Sequence, residues 1–111
     1  MDNKPENMII VKVTYTVNPE FVQKNLENIN IFMGDFRKQS NNEFRYNAYL
    51  SNDGKTFVHL SHYQNETIQK KLLDLPSFKS FQEQRDASGL EGSPEIAIMK
   101  SVAFSHEIDL Y

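Results

Sequence analysis

The chain has 111 residues, a net charge of −3 and no cysteine. That length suits one domain with a core that needs no staples, and the missing thiols exclude disulfides, zinc–thiolate centres and thiol catalysis. An acidic balance argues against nucleic-acid binding, which calls for a basic face, while 12% aromatic residues argue against wholesale disorder.

Residues 1–7 are polar, contain Pro5, and read as a flexible lead into a single domain over 8–111. The opening "MDNKPENMIIVKV" carries no apolar run of the length a signal or a membrane span needs, so the expectation is a cytoplasmic chain with no membrane partner. In "MIIVKVTYTV", Ile9, Val11, Val13, Tyr15 and Val17 alternate with Met8, Ile10, Lys12, Thr14 and Thr16. This is a strand with one oily face and one mixed face. "NPEFVQKNLENINIFMGDFRKQ" then predicts a helix. Asn18 is placed to cap it, Pro19 suits its first position, and Glu20 suits its positive end. Val22, Leu26, Ile29, Met33 and Phe36 recur at helical spacing and form its apolar stripe.

"FRYNAYL" and "TFVHLSHY", joined by "SNDGK", predict a hairpin turning at Asp53-Gly54. A two-residue turn sets Asn52 against Lys55, Ala48 against His59, Tyr46 against Ser61 and Phe44 against Tyr63. Asn65 and Glu66 start a second helix through Ile68, Leu72, Leu73 and Leu75. Pro76 interrupts or restarts it, and Phe78, Phe81 and Arg85 carry it on to a stop at Gly89. Arg85 and Asp86 read as a solvated helix edge. "PEIAIMKSVAF" is a last strand, followed by a tail that carries Ile108, Leu110 and Tyr111. The order β-α-β-β-α-β makes an α+β, ferredoxin-like fold, a four-stranded antiparallel sheet with two helices on one face.

The helices should cover the oily face of the first strand. Val58 and Leu60 suit the same side, which would leave Phe44, Tyr46, Ala48, Phe57, His59, Ser61 and Tyr63 on the uncovered side. An aromatic patch of that kind is rarely left bare, so a second copy packed sheet to sheet is the expected cover. His59 and His62 are an odd number of residues apart on a strand and point to opposite faces, which disfavours a shared metal ion. Neither a metal nor a cofactor is expected.

The run "TFVHLSHYQNETIQKKLLDLPSFKSFQ" resembles the dimeric α+β barrel superfamily, which includes the antibiotic biosynthesis monooxygenase-like proteins. The likeness lies in the strand-end aromatic Tyr63, the helix start Asn65-Glu66, Leu72-Leu73, and "LPSFKSF" over 75–81. "VKVTYTVNPEF" resembles the same proteins' first strand and Pro-initiated helix. The resemblance implies a cleft between sheet and helices, partly closed by a partner subunit. Three positions depart from it: Ser61 stands where a glutamate is frequent, Tyr63 where a tryptophan is, and Leu72 near a helix histidine. Haem-degrading relatives use an asparagine, a tryptophan and a histidine at about Lys12, Tyr63 and Leu72, so haem oxygenation is not expected here.

The candidate catalytic residues are His59, as a base for a phenol-like substrate, and Tyr63. Lys12, Phe44, Tyr46, Phe57 and Ser61 are candidate substrate contacts, with Lys12 placed to meet an enolate oxygen. Each has a structural alternative: His59 as a packed interface histidine, the tyrosines as interface aromatics, Lys12 as a solvated stem. "GKT" at 54–56 lacks the upstream glycine of a phosphate loop. "GKTFVHL" faintly echoes an RNA-recognition signature, but the first strand lacks the matching aromatic. Two functions follow. One is a homodimeric, cofactor-independent oxygenase or related enzyme acting on a small apolar or aromatic molecule. The other is a non-catalytic binding or dimerisation protein on the same fold. An enclosed pocket of about 300 Å³ or more with His59 or a tyrosine hydroxyl inside would favour the first.

Overall fold

The computed structural model describes residues 8–39, 42–88 and 90–106. The expected lead at 1–7, the Gly89 cap and the apolar tail residues 108, 110 and 111 lie outside the described residues.

The first strand, β1 (Ile9–Thr16), leads through a short 3-10 turn at Pro19–Phe21 into α1 (Val22–Phe36). Asn18 caps through its backbone, whose carbonyl accepts the Phe21 N–H at 2.9 Å; its side chain makes no capping bond. The hairpin is β2 (Phe44–Leu50) and β3 (Thr56–Tyr63). Pro76 divides the following helical stretch in two, α2 (Glu66–Leu73) and α3 (Pro76–Ser88), because its ring cannot continue the turn before it. The Asn65 side chain accepts the Ile68 N–H at 3.0 Å and starts α2. The last strand is β4 (Glu95–Met99), and the sheet order is β2-β3-β1-β4 with antiparallel neighbours. This is the expected ferredoxin-like sheet, with three α-helices among the described residues where two were expected. No helix among the described residues is long and apolar enough to cross a membrane.

The hairpin register holds: Ala48 faces His59, Tyr46 faces Ser61, and Phe44 faces Tyr63. The turn is one pair wider than expected. Ser51 N–H donates to the Thr56 carbonyl at 2.8 Å, and residues 52–55 form the connection. Asp53 accepts the N–H groups of Lys55 and Thr56, and Gly54 takes a φ of +78°, which a side chain would resist.

The expected facing of the hairpin is overturned. β1 pairs with β3 so that Tyr15 meets Phe57, Val13 meets His59 and Val11 meets Ser61. Cross-strand partners share a face, so the oily face of β1 and the aromatic face of the hairpin are the same face, and the chain's own helices cover it. Phe57, His59, Ser61 and Tyr63 are buried there, while Val58, Leu60 and His62 lie half-buried on the open side. The aromatic rings therefore need no twin subunit to cover them. The stripe of α1 is also rotated from the expected one. Asn25, Asn28, Ile29, Phe32 and Phe36 are its buried residues, with Val22, Leu26 and Met33 at the margin. Phe32, fully buried, is the hub of the core, with ring contacts to Phe36, Tyr46, His59, Phe78 and Phe81.

Candidate functional site

Four elements converge on one buried polar chain. β3 places His59 at the centre of the covered face, β1 places Tyr15 diagonally across from it, β2 contributes Tyr46, and α1 contributes Asn25. Tyr15 Oη lies 2.9 Å from His59 Nε2, and Tyr46 Oη lies 2.7 Å from Nδ1, so both ring nitrogens are engaged. Asn25 Nδ2 donates to Tyr15 Oη at 2.9 Å. Which hydroxyl donates to the ring and which accepts from it follows from the imidazole tautomer, and the chain can be satisfied with the ring proton on either nitrogen. The Asn25 carbonyl oxygen is buried without a partner.

Burial sets the charge state of this chain. It pushes the His59 pKa down to about 3, with the Arg85 cation adding to the effect, so the imidazole is neutral. It pushes the Tyr15 hydroxyl up to about 12 and the Tyr46 hydroxyl well above the ordinary tyrosine value. All three groups are neutral and hydrogen-bonded, which is what makes their burial tolerable.

α3 supplies the roof. The Phe81 ring stacks on His59 at 5.5 Å and 21°. The Arg85 guanidinium carbon sits 5.2 Å over the Tyr15 ring and 5.4 Å over Phe81, and its Nε donates to Asp86 at 2.9 Å. Arg85 is thus a buried cation against two aromatic faces, so the expected solvated helix edge is corrected for Arg85, while Asp86 is exposed as expected. The spacing Phe78, Phe81, Arg85 already put it on the apolar stripe, which was the signal to follow. Asn25 and Tyr15 carried weaker signals. A polar residue in a helix interior and a hydroxyl on an oily strand stand out only once partners are known.

Two cavities adjoin this chain. One, of about 110 Å³, lies among Val13, Tyr46, His59, Phe78, Phe81, Gln82, Arg85, Pro94 and Ile96. The other is an open groove of about 600 Å³ between α1 and β2, with Phe44, Tyr46 and Tyr49 among its walls. Tyr46 is common to both. Of the sequence candidates, the structure brings His59 and Tyr46 to the inner cavity and Phe44 and Tyr46 to the groove. Phe57, Ser61 and Tyr63 share their face but line neither of these cavities. Phe57 stacks on Tyr15 at 5.5 Å, Ser61 Oγ donates to the Val11 carbonyl at 3.3 Å, and Tyr63 is a buried core ring. Lys12 pairs with Leu60 on the opposite, open face and is exposed, so it is not brought together with the others. His62, opposite Arg45, also lies on that side, across the sheet from His59.

No family sequence model matches the chain, and no curated protein resembles it in sequence. Solved structures do resemble it. A candidate antibiotic biosynthesis monooxygenase from Bacteroides thetaiotaomicron superposes with a TM-score of 0.81 at 13% identity, covering 95% of this chain and 99% of that one. A conserved protein from Methanosarcina mazei has a TM-score of 0.74 at 18% identity over 88% of this chain and 96% of its own. SnoaB, a cofactor-independent oxygenase from Streptomyces nogalater, has a TM-score of 0.70 at 13% identity over 91% of this chain and 99% of its own. The fold is that of the antibiotic biosynthesis monooxygenase-like proteins.

Proposed function

We propose that this chain is a cofactor-independent oxygenase or a related enzyme that acts on a small hydroxylated aromatic molecule at the cleft of Tyr46, His59 and Arg85. The observation that supports it is a neutral imidazole held between two tyrosine hydroxyls beside a cavity that also contains a buried guanidinium. That constellation joins a proton carrier, an oxyanion donor and a fixed positive charge.

The chemistry needs the substrate as its anion. With the ring proton on Nε2, Tyr46 takes the substrate hydroxyl proton while passing its own to Nδ1 of His59. An imidazole with a pKa of about 3 is a weak base in the empty site. An anion forming beside it supplies the countercharge that raises its proton affinity, and Arg85 stabilises the same anion. The electron-rich anion reduces dioxygen and forms a C–O bond to it, and the resulting peroxide recovers the proton. Loss of water then gives the carbonyl: R2CH2 + O2 → R2CO + H2O.

Oxygen uptake with polycyclic phenols tests this reading. Tyr46→Phe keeps the ring and removes the hydroxyl, and turnover is expected to fall by roughly 100-fold. Unchanged turnover in that variant would remove the assigned chemistry. The inner cavity, at about 110 Å³, is small for a whole substrate. That size favours, as a second reading, a binding protein that uses the groove alone; a substrate bound without any oxygen uptake would support it.

We also place a second copy of the chain against the open face of the sheet. Val58 and Leu60 are half-buried there, and Tyr49 is 54% exposed. Sedimentation equilibrium at micromolar concentration is expected to return a dimer mass, and a monomer would withdraw the assignment.

A further inference from the structure

We propose that the ligand extends out of the inner cavity onto β4, and that it is an elongated molecule, a hydroxylated ring carrying an uncharged apolar body. The assignment rests on the preceding reading in seating the hydroxylated ring beside Tyr46, His59 and Arg85. Its starting point is a mismatch of size. The inner cavity, at about 110 Å³, is smaller than the roughly 150 Å³ of an apolar cavity that encloses benzene. It has room for the reacting edge of one ring and none for the rest of a ligand.

The surface next to the cavity supplies what it lacks. Ile96 and Ile98 pair with Val13 and Val11, whose other neighbours are His59 and Ser61, so both isoleucines project from the face that the helices cover elsewhere. Over β4 that cover stops: Ile96 is 68% exposed and Ile98 73%. Ile96 is also a wall of the inner cavity, together with Phe78, Gln82 and Arg85 of α3. The cavity thus reaches the surface between α3 and β4, and an apolar ledge runs on from its mouth. Ile96 and Ile98 stand about 7 Å apart along the strand, the span of a short alkyl chain or of one further ring. A small ligand is the occupant that fits. Two side chains on one short strand fall far short of the about 800 Å² per partner that a stable subunit interface buries. They also point away from the open face on which a second copy is placed.

Isothermal titration calorimetry with 4-ethylphenol and 4-hexylphenol, under nitrogen, tests this. The four added methylenes are expected to tighten binding by at least about tenfold, since each fully buried methylene gives about fourfold and a ledge covers one side only. Ile98→Asn is expected to cut that margin to about threefold or less. Ile31→Asn, at an exposed isoleucine of α1, is expected to keep it. A smaller wild-type margin, a larger one in Ile98→Asn, or its loss in Ile31→Asn would overturn the proposal. The wild-type comparison requires no variant to fold. Because binding is read without turnover, an absence of oxygen uptake would remove the oxygenase reading and leave the ledge in place.

Discussion

Phe32→Ala is expected to lower unfolding free energy by about 3–5 kcal/mol, the range for removing a fully buried aromatic ring. Urea denaturation would show it as a lower midpoint with an unchanged slope. The magnitude follows from position. Phe32 is 0% exposed, and its ring meets those of Phe36, Phe78 and Phe81 within 5.1 Å, with Tyr46 and His59 just beyond. Truncation opens a void bordered by rings from β2, β3, α1 and α3, and such rings collapse poorly into a gap. A loss under about 1 kcal/mol would mean that the aromatic layer is not packed as described. The same change is expected to loosen Tyr46 and His59, so under the proposed function oxygen uptake should decline together with stability.

The second large effect concerns acid. His59 is neutral in the folded protein down to about pH 3, whereas an unfolded histidine takes up its proton near 6.5. The unfolded state therefore binds more protons between those limits. Stability is fully present above pH 6.5 and is lost as pH falls toward 3, at up to roughly 1.4 kcal/mol per unit from this residue. His62, whose pKa burial also lowers, adds a contribution of the same sign. His59→Phe separates the two. It keeps a ring against Phe81 but leaves the Tyr15 and Tyr46 hydroxyls without the partner they share, costing about 2 kcal/mol at neutral pH. It should also flatten the acid-side slope of midpoint against pH. An unaltered slope in His59→Phe would show that His59 is not the buried neutral group.

The element order and the hairpin register were legible because both are local. Pro19, Asp53-Gly54, Asn65 and Pro76 each act within a few residues of themselves. Which face of the hairpin meets the helices depends instead on how β3 slides against β1, strands whose partners lie 40 to 54 residues apart in sequence. A shift of one residue there exchanges every inward side chain for an outward one. Aliphatic Val58 and Leu60 looked the better partners for helices, yet the helices bring Phe32, Phe36, Phe78 and Phe81, and rings pack on rings. That one step turns the aromatic set to the other face while leaving its membership intact, so His59 and Tyr46 are legible as a pair and their surroundings are not. Asn25 does not stand out in the sequence, and Arg85 reads there as a solvated edge, for a related reason. Their polarity reads as solvent-facing until the tyrosine they both serve is seen between them.

The unpartnered carbonyl oxygen of Asn25 has a consequence for what the cleft can recognise. Turning that amide end for end strands its NH2 group in place of its oxygen and keeps the same number of hydrogen bonds. Every proton along Tyr15, His59 and Tyr46 can then reverse direction together. In one direction Tyr46 presents a donor to its visitor, and in the other an acceptor. Under the proposed function, a single pocket then meets both the keto and the enol tautomer of one molecule without moving a heavy atom of its walls.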